Sequence, residues 1–197
     1  MKKLVLSLAI ISALGLSGCS SQVSYGDPQQ VETVDVSFGS TDLQTIAGEM
    51  TDSMISSPLL VDITAKGRPI VFVDRIKNKT TEHIDTESVT DTISTKLLQS
   101  GKFRFVDMTT VNQVREQLGF QNDSDLVDPS KAIAFGQQVG AEYMLYGNLS
   151  SIVKTNKKTK DVYYKMTMRL LDLKTGLVEW ADETEIRKAE TKSTFGW

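Results

Sequence analysis

Residues 162–173 read Val162-Tyr163-Tyr164-Lys165-Met166-Thr167-Met168-Arg169-Leu170-Leu171-Asp172-Leu173. On an extended chain Val162, Tyr164, Met166, Met168 and Leu170 share one side, while Tyr163, Lys165, Thr167 and Arg169 share the other. A period of two with one apolar and one polar side is the pattern of a half-buried antiparallel strand. Residues 143–153 and 177–186 are also strand-like. The turn-rich Thr155-Asn-Lys-Lys-Thr-Lys160 and Lys174-Thr-Gly176 join them to the central run. The C-terminal half is therefore expected to form a three-stranded meander.

Upstream the period changes. Leu43, Ile46, Ala47, Met50 and Met54 recur at steps of three and four, which predicts a helix capped by Ser40 or Thr41 and ended by Pro58. Residues 59–67 give no clear period and read as loop or short turn. Ile70-Val71-Phe72-Val73 is a continuous apolar run of strand length, suited to burial on both faces. Residues 77–84 read as a polar loop. A helix is expected from Asp85-Thr86 to Ser100-Gly101, then a strand over Phe103–Val106. A further helix capped by Thr109 or Thr110 should stop at Gly119. After a polar loop at 120–128, Pro129 opens a helix through Val139, and Gly140 stops it. The fold class is α/β: a mixed sheet ending in an antiparallel meander, covered by about four helices.

The N-terminus carries a different signal. Lys2 and Lys3 precede an apolar run from Leu4 to Leu16, and Leu16-Ser17-Gly18-Cys19 closes it. That is the layout of a secretory signal peptide, and the run is shorter than the roughly 20 residues that span a bilayer. The ending resembles the lipobox of bacterial lipoproteins, in which the cysteine thiol receives the lipid. Cys19 is the only cysteine, so no intrachain disulfide competes for it. Ser20, in place of aspartate, points by the same resemblance to the outer membrane, on its periplasmic side. The expected organisation is a lipoprotein signal peptide at 1–18, a lipidated cysteine and tether at 19–39, a globular domain at 40–187 and a tail at 188–197. Fully extended, the tether reaches roughly 65 Å.

The chain has a formal charge of −3, and loss of Lys2 and Lys3 makes the remainder more acidic by two. A mildly acidic surface is a poor match for sequence-independent nucleic-acid binding. Catalytic material is sparse. His83 is the only histidine and lies in a polar stretch, where a surface position is expected. Asp74, Asp107, Asp172 and Asp182 fall near expected strand ends, where solvated carboxylates are common. Asp123, Asp125 and Asp128 lack the glycine and terminal glutamate of an EF-hand. Met144, Met166 and Met168 read as core filling rather than metal ligands. No catalytic residue, cofactor or metal is expected, and a tethered domain of this kind is expected to work by contact.

Several runs, in order, resemble one family. Asn78-Lys79-Thr80 follows the first strand, Gly101-Lys102-Phe103 enters the second, and Gln117-Leu118-Gly119 closes a helix. Ser130-Lys131-Ala132-Ile133 opens the next helix, and Val139-Gly140-Ala141-Glu142-Tyr143 with Leu145-Tyr146 enters the meander. Thr175-Gly176 and Trp180 fall at the last hairpin. The set is similar to the LpoB family of outer-membrane lipoproteins. The resemblance implies docking on a noncatalytic domain of a bifunctional class A penicillin-binding protein and stimulation of peptidoglycan synthesis, with no chemistry by the lipoprotein itself. It points to Asn78, Thr80 and Tyr146 as partner-binding candidates. Enteric members carry a long Pro-rich tether, whereas this segment is about 20 residues with one proline, Pro28. A structural lipoprotein of a CsgG-like secretion or flagellar assembly is the second reading, and a periplasmic hydrolase the third.

If Cys19 carries the anchor, Cys19→Ala should move the chain from the membrane fraction to the soluble periplasmic fraction. Retention of the variant in membranes would remove Cys19 as the attachment point.

Overall fold

The structure is a computed structural model and describes residues 24–32, 35–119 and 129–192. The signal-peptide assignment, Cys19, the loop acids at 123–128, and Phe195 and Trp197 lie outside those residues. The chain divides into two units at Gln30/Val31. In the first, residues 24–30 contain a turn in which the Gln30 amide donates to the Asp27 carbonyl at 3.1 Å. The second unit holds the described helices and strands. They are α1 (Ser40–Ser56), α2 (Pro58–Ala65), β1 (Ile70–Val73), β2 (Lys77–Lys79), α3 (Thr86–Gln99), β3 (Arg104–Phe105), α4 (Met108–Gln117), α5 (Pro129–Val139), β4 (Tyr143–Thr155), β5 (Thr159–Asp172) and β6 (Val178–Thr191).

The strands form one mixed sheet in the order β3-β1-β4-β5-β6, with β2 also pairing with β4. The β1–β3, β1–β4 and β2–β4 pairings are parallel, and β4–β5–β6 is the antiparallel meander read from residues 143–186. Val162, Tyr164, Met166, Met168 and Leu170 of β5 are all buried. They pack with Ile46, Met50 and Met54 of α1 and Val89, Ile93 and Leu97 of α3 into the main core. Beneath the other sheet face, a second core joins Phe72 and Met144 to Val111 and Val114 of α4 and Ala132 and Phe135 of α5. Phe72 points opposite to Val71 and Val73, so β1 is buried on both faces, as a continuous apolar run requires. The three methionines expected as core filling, Met144, Met166 and Met168, are all buried.

The differences from expectation have local causes. Residues 58–65 form α2 rather than loop. Pro58 occupies the first helical turn, where its missing amide costs nothing, so it opens this helix as well as ending α1. Only Leu60 of α2 is buried, which leaves no apolar stripe to read. Lys77–Lys79, expected as loop, is a short strand held by β4. The α1 cap is Gly39 rather than Ser40 or Thr41, and the α4 cap is Asp107 rather than Thr109 or Thr110. The Asp107 carboxylate accepts from the Thr109 amide at 2.9 Å. The expected strand at 103–106 is shorter, Arg104–Phe105. Five helices are described, in line with the α/β class of mixed sheet and about four covering helices.

Both expected domain edges extend. Residues 36–38, assigned to the tether, are held by the core, with Val36 buried in it and the Phe38 ring edge-on to Tyr164. At the other end, 188–191, assigned to the tail, continue β6 opposite 159–162. Lys188 occupies a core-face position, where its Nζ donates to Asp42 Oδ2 of α1 at 2.9 Å and to the Ser37 carbonyl at 2.6 Å. A lysine where the apolar period calls for a hydrophobe hides the strand's continuation from the sequence. Gly147 in β4 serves a close approach. A Cβ there would collide with the Thr167 carbonyl oxygen and meet Met168 Cγ at 3.0 Å.

Asp42 is 5% exposed, and its Oδ2 pairs with Lys188 Nζ at 2.9 Å. Lys188→Ala should therefore cost about 3 kcal/mol in urea unfolding, because it leaves a buried carboxylate without its cation. Replacing both residues by apolar ones should recover most of that loss. A loss below about 0.5 kcal/mol, the size expected of exposed pairs, would mean the pair does not hold β6 to α1.

Candidate functional site

The second core does not extend under the whole sheet. Helices α4 and α5 cover β1, the first residues of β4 and the end of β5. Beyond Tyr146 the side chains on that face have no helix over them among the described residues. Cross-strand register aligns them: Tyr146 with Arg169, Asn148 with Thr167, Ser150 with Lys165 and Ile152 with Tyr163. Next along are Ala181, Glu183, Glu185 and Arg187 of β6, opposite Arg169, Thr167, Lys165 and Tyr163. Lys77 and Lys79 of β2 extend the same face beside Asn148 and Ser150. The polar side of the 162–173 alternation is thus a flat face built on four strands.

Its outer half is locked by diagonal contacts between β5 and β6. Arg187 grips Asp161 with Nη2 to Oδ2 at 2.6 Å and Nε to Oδ1 at 3.1 Å. Lys165 Nζ lies 2.5 Å from Glu183 Oε2. Tyr163 donates to the Glu185 carboxylate, and that bond, with some burial, pushes the phenol up to about 12. Asp161 is held below the usual carboxylate range by its hydrogen bond from Arg187. The inner half differs. Arg169, half-buried between Tyr146 and Ala181, has no carboxylate within ion-pair distance among the described residues. Near Arg169 the face is therefore positive, with a partly buried aromatic beside it. That combination is frequent at protein–protein contacts.

The three candidate residues do not converge. Tyr146 is half-buried. Its ring packs against the second core at the margin where helical cover ends, so it belongs to the open face. Asn78 is in register with Leu149, whose side chain enters the main core, so Asn78 lies on the sheet face opposite Tyr146. Its Nδ2 donates to the Glu82 carbonyl at 2.9 Å, and its Oδ1 accepts from the Thr80 amide at 2.9 Å and the Thr80 hydroxyl at 2.8 Å. Asn78 and Thr80 thereby shape their own loop. The loop's Glu82 reaches inward: Oε1 accepts from the Tyr164 hydroxyl at 2.6 Å and Oε2 from the Phe38 amide at 3.0 Å. Burial and this carboxylate push the Tyr164 phenol well up. His83 is exposed in the same loop.

The strand-end acids have structural partners of their own. Asp74 pairs with Arg115, whose guanidinium also lies over the Phe72 ring at 5.8 Å from its centroid. Asp107 caps α4, and Asp172 accepts the Lys174 and Thr175 amides of the last turn. Asp182 lies inside β6 rather than at its end and accepts from the Ser53 hydroxyl. Among the described residues no group of three or more His, Cys, Asp or Glu is placed to hold a metal. No described helix is long and apolar enough to cross a membrane. The residues missed as candidates, Arg169 foremost, did carry a signal. They form the polar side of the strand pattern, which by itself looks like any solvated face.

The family model for the peptidoglycan-synthase activator LpoB matches residues 42–186. The penicillin-binding protein activator LpoB of Escherichia coli K12 is 30% identical over 128 residues, covering 65% of this chain and 56% of that protein. Its Dickeya dadantii counterpart is 27% identical over 135 residues, covering 68% and 64%. The chain thus spans less than two thirds of the length of these relatives. The solved LpoB C-terminal domain from Escherichia coli superposes with a TM-score of 0.57 at 25% identity, over 74% of this chain and 98% of that one. The Salmonella enterica domain gives 0.57 at 23%, over 75% and 99%. These matches give the secretion or flagellar assembly reading no support.

Protonating Asp161 removes the partner of Arg187. Because Asp161 titrates below 3.8, the pair's contribution is full above that value and disappears as pH falls through the lowered one. A carbon-detected NMR titration should show Asp161 below 3.8, and Arg187→Ala should bring it back near 3.8. An unmoved midpoint would mean Arg187 does not set it.

Proposed function

The chain belongs to the LpoB family of peptidoglycan-synthase activators, and from that premise we propose that it docks on a bifunctional class A penicillin-binding protein and raises its rate of peptidoglycan synthesis. In this reading it is anchored through Cys19 to the outer membrane, faces the periplasm, and performs no chemistry. It acts on the enzyme by binding one state more tightly than another, and its leverage is limited to that difference in affinity.

The observation that carries the docking role is the uncovered sheet face on β2, β4, β5 and β6. Its polar groups are fixed by strand geometry, and a rigid face loses little freedom on binding. Tyr146 and Arg169 form the proposed centre of contact, with Lys77 and Lys79 at the margin. Asn78 and Thr80 are proposed to contribute by holding the loop after β2, which sets where those lysines sit. The positive inner half fits an acidic or hydrogen-bond-accepting surface on the partner.

Mixing the full chain with a class A penicillin-binding protein of the same cell should accelerate lipid II consumption. No change at saturating chain would overturn the activator reading. Arg169→Glu should weaken binding by about tenfold or more, as charge reversal at a docking centre does, with circular dichroism unchanged. Tyr146→Ala should weaken it as well. Asn78→Ala should lower thermal stability more than affinity. If Arg169→Glu binds as well as the unmodified chain, the contact lies on another face.

A further inference from the structure

A second positive site lies away from the open face, at the N-terminal ends of the strands. There the loop before β1, the start of β3 and the start of β4 surround a depression of about 340 Å³. Lys66, Arg68 and Arg104 line it, together with Ile63, Tyr143 and one carboxylate, Glu142. The two arginines are held in place by backbone. Arg68 Nη2 donates to the Phe103 carbonyl at 2.7 Å, and Arg104 Nε donates to the Arg68 carbonyl at 3.1 Å. Each guanidinium spends one donor on this and keeps the others. Glu142 is committed elsewhere, its Oε2 accepting from the Ile70 amide at 2.7 Å. No ion pair joins it to any of the three cations.

Two guanidiniums and an ammonium line one exposed depression with a single carboxylate to offset them. Positive charge is in excess there, and guanidinium forks suit planar or tetrahedral oxyanions. Three positive groups and one negative group leave a formal excess of two charges. A phosphomonoester carries about −1.5 to −2 at neutral pH, so it balances the site where a single carboxylate does not. The Ile63 and Tyr143 side chains supply an apolar wall beside the charges.

We propose that this depression is a phosphate-binding site, taking the phosphate of either a small soluble phosphomonoester or a lipid headgroup. Lys66 and Arg104 supply the free donors, Arg68 fixes the loop and adds its own, and Glu142 limits the affinity.

The test is an NMR titration of the full chain in neutral detergent with three probes: inorganic phosphate, soluble dihexanoyl phosphatidic acid and acetate. Saturable shifts of the Gly67, Arg68 and Arg104 amides with phosphate are expected, and markedly weaker ones with acetate. Arg104→Gln should weaken phosphate binding roughly tenfold. Lys66→Gln, at a side chain with no structural bond, should weaken it roughly threefold. Glu142→Gln keeps the acceptor for Ile70 and removes the opposing charge, so it should tighten binding. Phosphatidic acid binding more tightly than phosphate assigns the site to a headgroup, and equal affinity assigns it to a soluble ligand. Absence of saturation, equal response to acetate, or indifference to all three substitutions would each overturn the proposal. Because none of these readouts involves the penicillin-binding protein, failure here leaves the docking reading standing, and the reverse also holds.

Discussion

A strand shows its alternate side chains to two different environments, and β5 commits one of them to a dry core. Five residues from Val162 to Leu170 must lie under α1 and α3, because any slip by one position would bury Lys165 and Arg169 and expose the methionines. That register fixes β4 on one side and β6 on the other, through pairings that run almost the full length of all three strands. The helices then have only as much sheet to cover as their apolar faces require. α4 and α5 are short and serve β1 and the two strand ends beside it. What they leave bare is the place proposed for docking.

The bare face is not simply solvated surface. Its outer half is tied internally by the Asp161–Arg187 and Lys165–Glu183 pairs and by the Tyr163–Glu185 hydrogen bond, which leaves Glu185 as the one acid there without a base among the described residues. Exposed pairs of this kind add little to stability individually. Their larger effect is to hold the long side chains across the strands, on a margin of β6 that is net acidic. The inner half has no such compensation at Arg169. Positive charge and a half-buried tyrosine thus lie at one spot, beside a margin that is paired or acidic, and this asymmetry would orient the partner proposed for the face.

How much of this was legible follows from where side chains obey the local period. β5 was readable because nine consecutive residues, Val162 to Leu170, keep the alternation. The long helices were readable because Ile46, Met50 and Met54, or Val89, Ile93 and Leu97, mark one face. The short α2 was not, since only Leu60 is buried. The end of β6 was not, since Lys188 satisfies a core position by pairing with Asp42 instead of by being apolar. The candidate site was partly legible. Tyr146 lies on the open face, and the polar side of β5 was visible as a set. The placement of Asn78 on the opposite face depends on the β2–β4 register, a contact between segments about 70 residues apart that no local pattern encodes. Arg169 stands out only after the ion pairs of its neighbours are known.

The junction at 36–38 has a mechanical meaning. The Phe38 amide is tied to Glu82, the Ser37 carbonyl to Lys188, and the Val36 carbonyl lies 3.2 Å from the Tyr164 hydroxyl. A pull arriving from the N-terminal side is shared. Glu32, which accepts from the Ser40 amide at 2.8 Å and donates its own amide to Thr41 Oγ1 at 2.7 Å, passes it to the start of α1, and the contacts at 36–38 pass it to β5, β6 and the 77–84 loop. Force on the N-terminal segment is therefore divided between the helix that roofs the main core and the sheet beneath it. The same few polar contacts act as a fuse. When they part, Val36 and Phe38 leave the main core together with the chain that pays out.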